Sequence, residues 1–195
     1  MRAAHTMFRA VVVALFLSSC SGDGTPRFNN VDITGANYAR DFSLTDHNGA
    51  ARTLADYRGK LVTVFFGFTQ CPDVCPTTLA DMAQVKKQLG KDGDRLQVLF
   101  VTVDPERDTQ AVLARYVPSF DPSFIALYGS AEQTAATAKE FKVFYQKVPG
   151  KTATSYSIDH TAGTYVFDRE GRVRLFVRHD QGVEPLVADL KRLLG

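Results

Sequence analysis

Tryptophan is absent from this chain of 195 residues, cysteine occurs three times and histidine four times. Charge of one sign is scarce as well: 23 basic and 21 acidic residues leave a net charge of only +2. Arg2 and Arg9 lie in a leader-like segment, and without them the balance is zero. A chain with no basic excess has little with which to neutralise a phosphate backbone, which argues against nucleic acid as a partner. The apolar stretch Ala10 to Leu17 is well short of the roughly 20 residues that a spanning helix needs. Internal repeats and low-complexity tracts are missing, which removes the repeat architectures. What is present, at 45% hydrophobic and 11% aromatic, is material for one well-buried domain and not for a comfortable second.

The amino-terminal segment has the parts of an export signal. Arg2 and Arg9 form a basic flank, Ala10 to Leu17 a short apolar core, and Leu17-Ser18-Ser19-Cys20 a small-residue cleavage site. A Leu-Ser-Ser-Cys ending resembles a bacterial lipobox, in which the cysteine is lipid-modified and becomes the mature terminus. Residues 1–19 are therefore expected to be a lipoprotein-type signal, with Cys20 the lipidation site. Residues 20–35, with Gly22, Gly24 and Pro26, are expected to be a flexible tether, and 36–195 the folded domain. The expected location is the bacterial periplasm, at a membrane. In that oxidising compartment an exposed thiol pair does not stay reduced unless something reduces or occupies it.

Further along, Asp41 to Asp46 and Ala51 to Leu54 alternate around Asn48-Gly49, the pattern of a lead-in hairpin. Leu61 to Phe68 is a continuous apolar and β-branched run, expected as a central strand covered on both faces. Pro76 to Leu89 reads as a helix ending at Gly90, Leu96 to Val103 as a second buried strand, and Thr109 to Val117 as a helix capped by Asp108. Phe124 to Tyr128 is expected as a strand and Ala131 to Phe141 as a helix. Val143 to Ser157 reads as a polar excursion turning at Pro149-Gly150. Thr164 to Phe167 and Val173 to Val177 form a hairpin about Glu170-Gly171, and Glu184 to Leu194 closes the chain as a helix. This order implies an α/β three-layer sandwich with a mixed sheet and an N-terminal β-hairpin extension. A thiol pair between a buried strand and the next helix points to the thioredoxin-like arrangement.

With Cys20 set aside, the remaining thiols are Cys71 and Cys75, in Cys71-Pro72-Asp73-Val74-Cys75-Pro76. Vicinal thiols bind soft metal ions or close a disulfide, so both chemistries are open. Helical residues four apart hold their β-carbons about 5 to 6 Å apart, too far for a relaxed disulfide. Pro72 and Pro76 disfavour helical backbone at the residues before them, so the pair is expected on a loop, with Cys75 near the helix cap. There the unpaired amides would favour thiolate. Of the histidines, His5 goes with the leader, and His47 and His179 read as solvated loop residues. His160 differs, because Ile158-Asp159-His160-Thr161 precedes a strand on the side where this fold brings a loop against its thiols.

Thr69-Gln70-Cys71-Pro72-Asp73-Val74-Cys75-Pro76, then Val103-Asp104-Pro105-Glu106-Arg107-Asp108-Thr109, then Asp159-His160-Thr161 with Tyr165, resemble the Sco/SenC family of copper proteins from about Phe42 onward. The resemblance implies a membrane-tethered, thioredoxin-like domain associated with building the dinuclear copper centre of cytochrome c oxidase. It makes Cys71, Cys75 and His160 the ligands of copper, as Cu(I) or Cu(II), with the same cysteines able to form a reversible disulfide. Partners implied are the oxidase subunit that bears the copper, a copper donor and a thiol reductant. Asp73, Asp159 and Asp104 are candidates for tuning the site from outside the ligand set or for contacting a partner. Glu106 and Arg107 read as a surface ion pair. Unlike thioredoxins, the chain has no tryptophan before its thiols and no proline after Asp159-His160, which speaks against general disulfide reduction. A role without turnover, copper delivery, is the expectation. The rivals are a thiol-disulfide oxidoreductase acting on the oxidase subunit's cysteines, with Cys71 and Cys75 as the redox pair, and a redox sensor.

Overall fold

The computed structural model describes residues 27–152 and 155–195; the leader, its Cys20 and the first residues of the expected tether lie outside them. The central strands follow from composition. Seven consecutive positions of β4 (Leu61–Gly67) and seven of β5 (Leu96–Thr102) are buried, which only strands covered on both faces can be. They pair in parallel from Leu61 opposite Leu96 to Gly67 opposite Thr102. Parallel pairing needs a crossover, supplied by helix α1 (Val74–Leu89). Helix α2 (Gln110–Tyr116) does the same between β5 and the parallel strand β6 (Ile125–Tyr128).

On the other side of β4 the sheet turns antiparallel through β9 (Gly163–Phe167) and β10 (Val173–Arg178), the hairpin about Glu170-Gly171. The short strand β1 (Val31–Asp32) adds to β10. The lead-in hairpin, β2 (Leu44–Asp46) and β3 (Ala51–Arg52), extends the far edge beside β6, completing an eight-stranded sheet in the order β1-β10-β9-β4-β5-β6-β2-β3. Alternate residues of β4 face different layers. The Phe66 ring packs 5.1 Å from Phe141, at the end of α3 (Ala131–Glu140), whereas Phe65 and Gly67 face α1 and Cys75. Helix α4 (Val183–Leu194) packs beside α1. The outcome is the α/β mixed-sheet sandwich expected from the element order.

Several expectations are corrected. The folded part reaches back into the span assigned to the tether: the Asp189 carboxylate, fully buried on α4, accepts the backbone and side-chain amides of both Asn29 and Asn30, just before β1. Helix α2 is capped by Thr109, whose hydroxyl accepts from the Val112 amide at 3.4 Å, and not by Asp108. His47 and His179 are half-buried and bonded: His47 Nδ1 accepts from the Ala126 amide at 3.0 Å, and His179 Nδ1 lies 3.1 Å from the Thr78 hydroxyl.

The largest correction concerns the polar excursion. It contains a second, two-stranded sheet, β7 (Tyr145–Pro149) against β8 (Tyr156–His160), in register from Tyr145 opposite His160 to Pro149 opposite Tyr156. Four of the five β7 residues are exposed, so no apolar alternation marks the strand. Periodicity reports burial, and a ribbon wet on both sides leaves little of it to read.

Candidate metal centre

The thiols are placed by the junction of β4 with α1. The helix starts earlier than proline placement suggests, with Asp73 as its N-cap, Val74 as its first residue and Cys75 inside the first turn. A proline is tolerated there because first-turn amides have no helical partner to lose. The expectation of Cys75 on a loop at the cap is thus corrected. Its sulfur points inward, fully buried, and it occupies space that only a glycine leaves: a Cβ built on Gly67 would stand 2.8 Å from Cys75 Sγ and 2.9 Å from the Phe100 ring. An isolated glycine in an apolar strand was the sequence signal for this close approach.

Burial changes the electrostatics of Cys75. Loss of water pushes its thiol up, against a smaller pull from its backbone hydrogen bond with Phe68, so the uncharged thiol is favoured in the metal-free protein. The free amide at the helix start is spent instead on Cys71, whose half-exposed sulfur accepts from the Cys75 N–H at 3.4 Å. The loop before Cys71 is fixed by the buried Asp108, which accepts the Thr69 amide at 3.0 Å, the Thr69 hydroxyl at 2.5 Å and the Thr102 hydroxyl at 2.6 Å. Burial raises the Asp108 carboxyl despite these donors.

His160 comes from the last position of β8, and not from a free loop. Its Nδ1 faces the Thr161 carbonyl at 3.1 Å, and its Nε2 lies 3.6 Å from Cys75 Sγ. A carbonyl can only accept, so the proton belongs on Nδ1 and the Nε2 lone pair is free toward the sulfur, the tautomer a metal ligand needs. Burial among Phe65 and Phe68, both edge-on to the imidazole, lowers its pKa and keeps the ring neutral. The ligand atoms of Cys71, Cys75 and His160 all lie within 4.8 Å of one another, and among the described residues no other Cys, His or carboxylate joins that group. Two sulfurs and an imidazole nitrogen are a soft set suited to copper or zinc and poorly suited to hard ions.

The acidic candidates stand apart from this cluster. Asp73 and Asp159 are exposed and line a cleft of about 320 Å³ that opens over Cys71 and His160. Asp104 is buried, and it is engaged with Arg107 and with the Tyr156 hydroxyl, which donates to it at 2.8 Å. Glu106 and Arg107 do not pair with each other: Glu106 pairs with Lys147 at 2.6 Å on the surface, while Arg107 is largely covered. Arg107, Tyr156 and Gly67 are site-supporting residues to which sequence reasoning assigned no such role.

Comparison with known proteins agrees with this arrangement. A family profile described as SCO1/SenC matches residues 31–195. The mitochondrial SCO2 homolog of Bos taurus is 40% identical over 154 residues, covering 78% of this chain and 58% of that protein. The chain therefore spans a little over half the length of that relative. The copper-bound structure of Bradyrhizobium japonicum ScoI superposes with a TM-score of 0.72 at 42% identity, over 78% of this chain and 97% of the other. The solution structure of apo Sco1 from Thermus thermophilus does so with a TM-score of 0.77 at 41% identity, over 86% and 97%. From β1 through α4, with Cys71 and His160 lining one cleft and Cys75 buried beneath it, the chain belongs to the SCO1/SenC family.

Proposed function

We propose that this protein binds copper through Cys71, Cys75 and His160 and hands it to the dinuclear copper centre of cytochrome c oxidase, acting as an exported protein held at a membrane through Cys20. The observation that carries this is the convergence of the donor atoms, with His160 Nε2 3.6 Å from Cys75 Sγ and all of them within 4.8 Å. Two thiolates and one neutral imidazole, with no further donor in the group, favour Cu(I), which accepts trigonal coordination. Binding would release the thiol protons, so affinity falls as pH falls.

The asymmetry of the pair suggests how the ion moves. Cys71 is half-exposed at the cleft and Cys75 buried beneath it. An incoming ion would meet Cys71 first and be enclosed by Cys75 and His160; a thiolate of the acceptor would enter by the same mouth and replace these ligands one at a time. Support for the oxidase as acceptor comes from family membership, and support for the tether from Leu17-Ser18-Ser19-Cys20. The test is a titration of the reduced protein with Cu(I) and with Cu(II) beside a free-thiol count. One Cu(I) per chain, bound more weakly in His160→Ala, is expected; unchanged affinity in that variant would remove the imidazole from the site.

The same asymmetry favours one second reading. Cys71 could attack a disulfide of the oxidase subunit, expelling one of its thiolates; Cys75 would then attack the mixed disulfide, expelling the other and leaving Cys71 bonded to Cys75. Each cycle would need two electrons from an external thiol reductant. A mixed disulfide trapped in Cys75→Ser, with turnover persisting in His160→Ala, would favour this role over copper delivery.

A further inference from the structure

Arg107 sits where the two ligand-bearing segments meet. Its Nη1 donates to Gln70 Oε1 at 3.1 Å and to the Tyr156 carbonyl at 2.9 Å. Gln70 is the residue before Cys71, and Tyr156 begins the strand that ends at His160. The guanidinium lies 3.6 Å over the Tyr156 ring and 5.8 Å from the Phe68 ring, and its Nε is paired with the buried carboxylate of Asp104. The other Asp104 oxygen accepts the Tyr156 hydroxyl, so Asp104, Arg107 and Tyr156 form a closed set.

We propose that Arg107 is a positioning residue that sets the distance between the thiol loop and His160, and with it the grip on copper. Arg107 bonds to none of the donor atoms; it acts through Gln70 on one side and through β8 on the other. The need for such a tie follows from topology, because β7 and β8 hydrogen-bond to each other and form a sheet separate from the main one. Among the described residues the one ion pair to this ribbon, Lys147 with Glu106, has side chains 48% and 66% exposed, and pairs in water contribute little. The Phe144 and Thr161 hydrogen bonds tie the base of the ribbon to itself. Only a planar, forked and stackable cation can make the Arg107 contacts together, which a lysine cannot.

The proposal rests on the copper-binding role above, and its test separates the two. Cu(I) affinity is measured by chelator competition on the reduced full-length protein in detergent, for wild type, Arg107→Lys, His160→Ala and the double variant. Copper X-ray absorption counts nitrogen neighbours, and hydrogen exchange of the metal-free protein follows the amides of β8 and of β4. Arg107→Lys is expected to lower affinity about 10–100-fold, as loss of ligand-orienting partners does elsewhere. It should also weaken the nitrogen signal, speed exchange in β8 while leaving β4 protected, and add almost nothing once His160 is gone. An unchanged affinity in Arg107→Lys, or a loss of the same size in the His160→Ala background, would overturn the proposal. If wild type fails to bind Cu(I), the copper role fails by itself. The exchange arm then decides the clamp: faster β8 exchange supports it and unchanged exchange overturns it. Should β4 protection also collapse in Arg107→Lys, Tyr156→Phe, which removes only the hydroxyl held by Asp104, decides by the same readouts.

Discussion

The two sides of the metal centre are held by different kinds of structure. Cys71 and Cys75 stand in the loop and first helical turn that follow β4, a strand buried at every position, with Cys75 wedged over Gly67 and against the core. His160 stands at the end of an outlying two-stranded ribbon, attached to the rest through the buried Ile158, through the imidazole itself against Phe65 and Phe68, and through polar contacts with Arg107, Asp104 and Glu106. A strand in the main sheet shares the global stability of the domain, whereas a ribbon fixed by side-chain contacts can open by itself. The thiols are thus the fixed half of the grip and the imidazole the adjustable half, a division that would suit the copper delivery proposed above.

The sharpest way to break this comparison is to remove one donor from each half. Cys75→Ala is expected to abolish stoichiometric Cu(I) binding, since a single sulfur and an imidazole leave a poor soft site. His160→Ala should leave two-sulfur binding at reduced affinity. Chelator competition on both variants checks the order, and equal losses would mean that the ribbon is no looser a partner than the core.

A second contrast concerns stability. Gly67→Ala forces a methyl group into contact with Cys75 Sγ and the Phe100 ring, each within 3 Å of its position, and overpacking of that kind costs about 1–3 kcal/mol. Val148→Ala on the exposed face of β7 should change stability by less than about 0.5 kcal/mol. Urea unfolding of the two metal-free variants measures the difference. A comparable cost at Val148 would show the ribbon to be more integrated than its exposure implies.

The same difference explains what could be read from the sequence. The core strands announced themselves, because Leu61 to Phe68 and Leu96 to Val103 are apolar at almost every position, and burial on both faces leaves no other choice. Cys71 and Cys75 are visible as the thiols that remain with Cys20 set aside, whereas the helix starts two residues earlier than Pro76 as its first position implies. The ribbon is hard to see for the opposite reason: Gln146, Lys147 and Ser157 face water, Ile158 is its one buried position, and long-range contacts to the loop after β5 complete its attachment. Arg107 looked like half of a surface pair with Glu106. Nothing in the local sequence says that its guanidinium turns toward a tyrosine 49 residues away.

Hydrogen exchange sharpens the comparison without any substitution. In the metal-free protein the amides of β4 and β5 should exchange only through global unfolding, while those of Ile158 and His160 exchange through smaller openings. Copper should slow the second set more than the first, because it ties the ribbon to the thiols. Equal protection in both sheets would argue that the ribbon moves with the core and that release of copper needs another route.

The smallest expected effect is an acid dependence that belongs to the imidazole half alone. Burial holds His160 below its ordinary value of 6.5, outweighing the Thr161 carbonyl and the Asp159 charge that pull it upward. The unfolded chain therefore takes up this proton at a higher pH than the folded one does. The stability linked to the neutral ring is full above 6.5 and is lost as pH falls from there through the folded-state pKa. Urea midpoints of the reduced, metal-free protein should fall more between about pH 7.5 and pH 5 in wild type than in His160→Gln, which has no proton to gain. All other titrating groups are shared by the two proteins and drop out of the difference. Parallel curves would mean that the ribbon lets water reach the ring as freely in the folded state as in the unfolded one, and that the imidazole is not enclosed until the metal arrives.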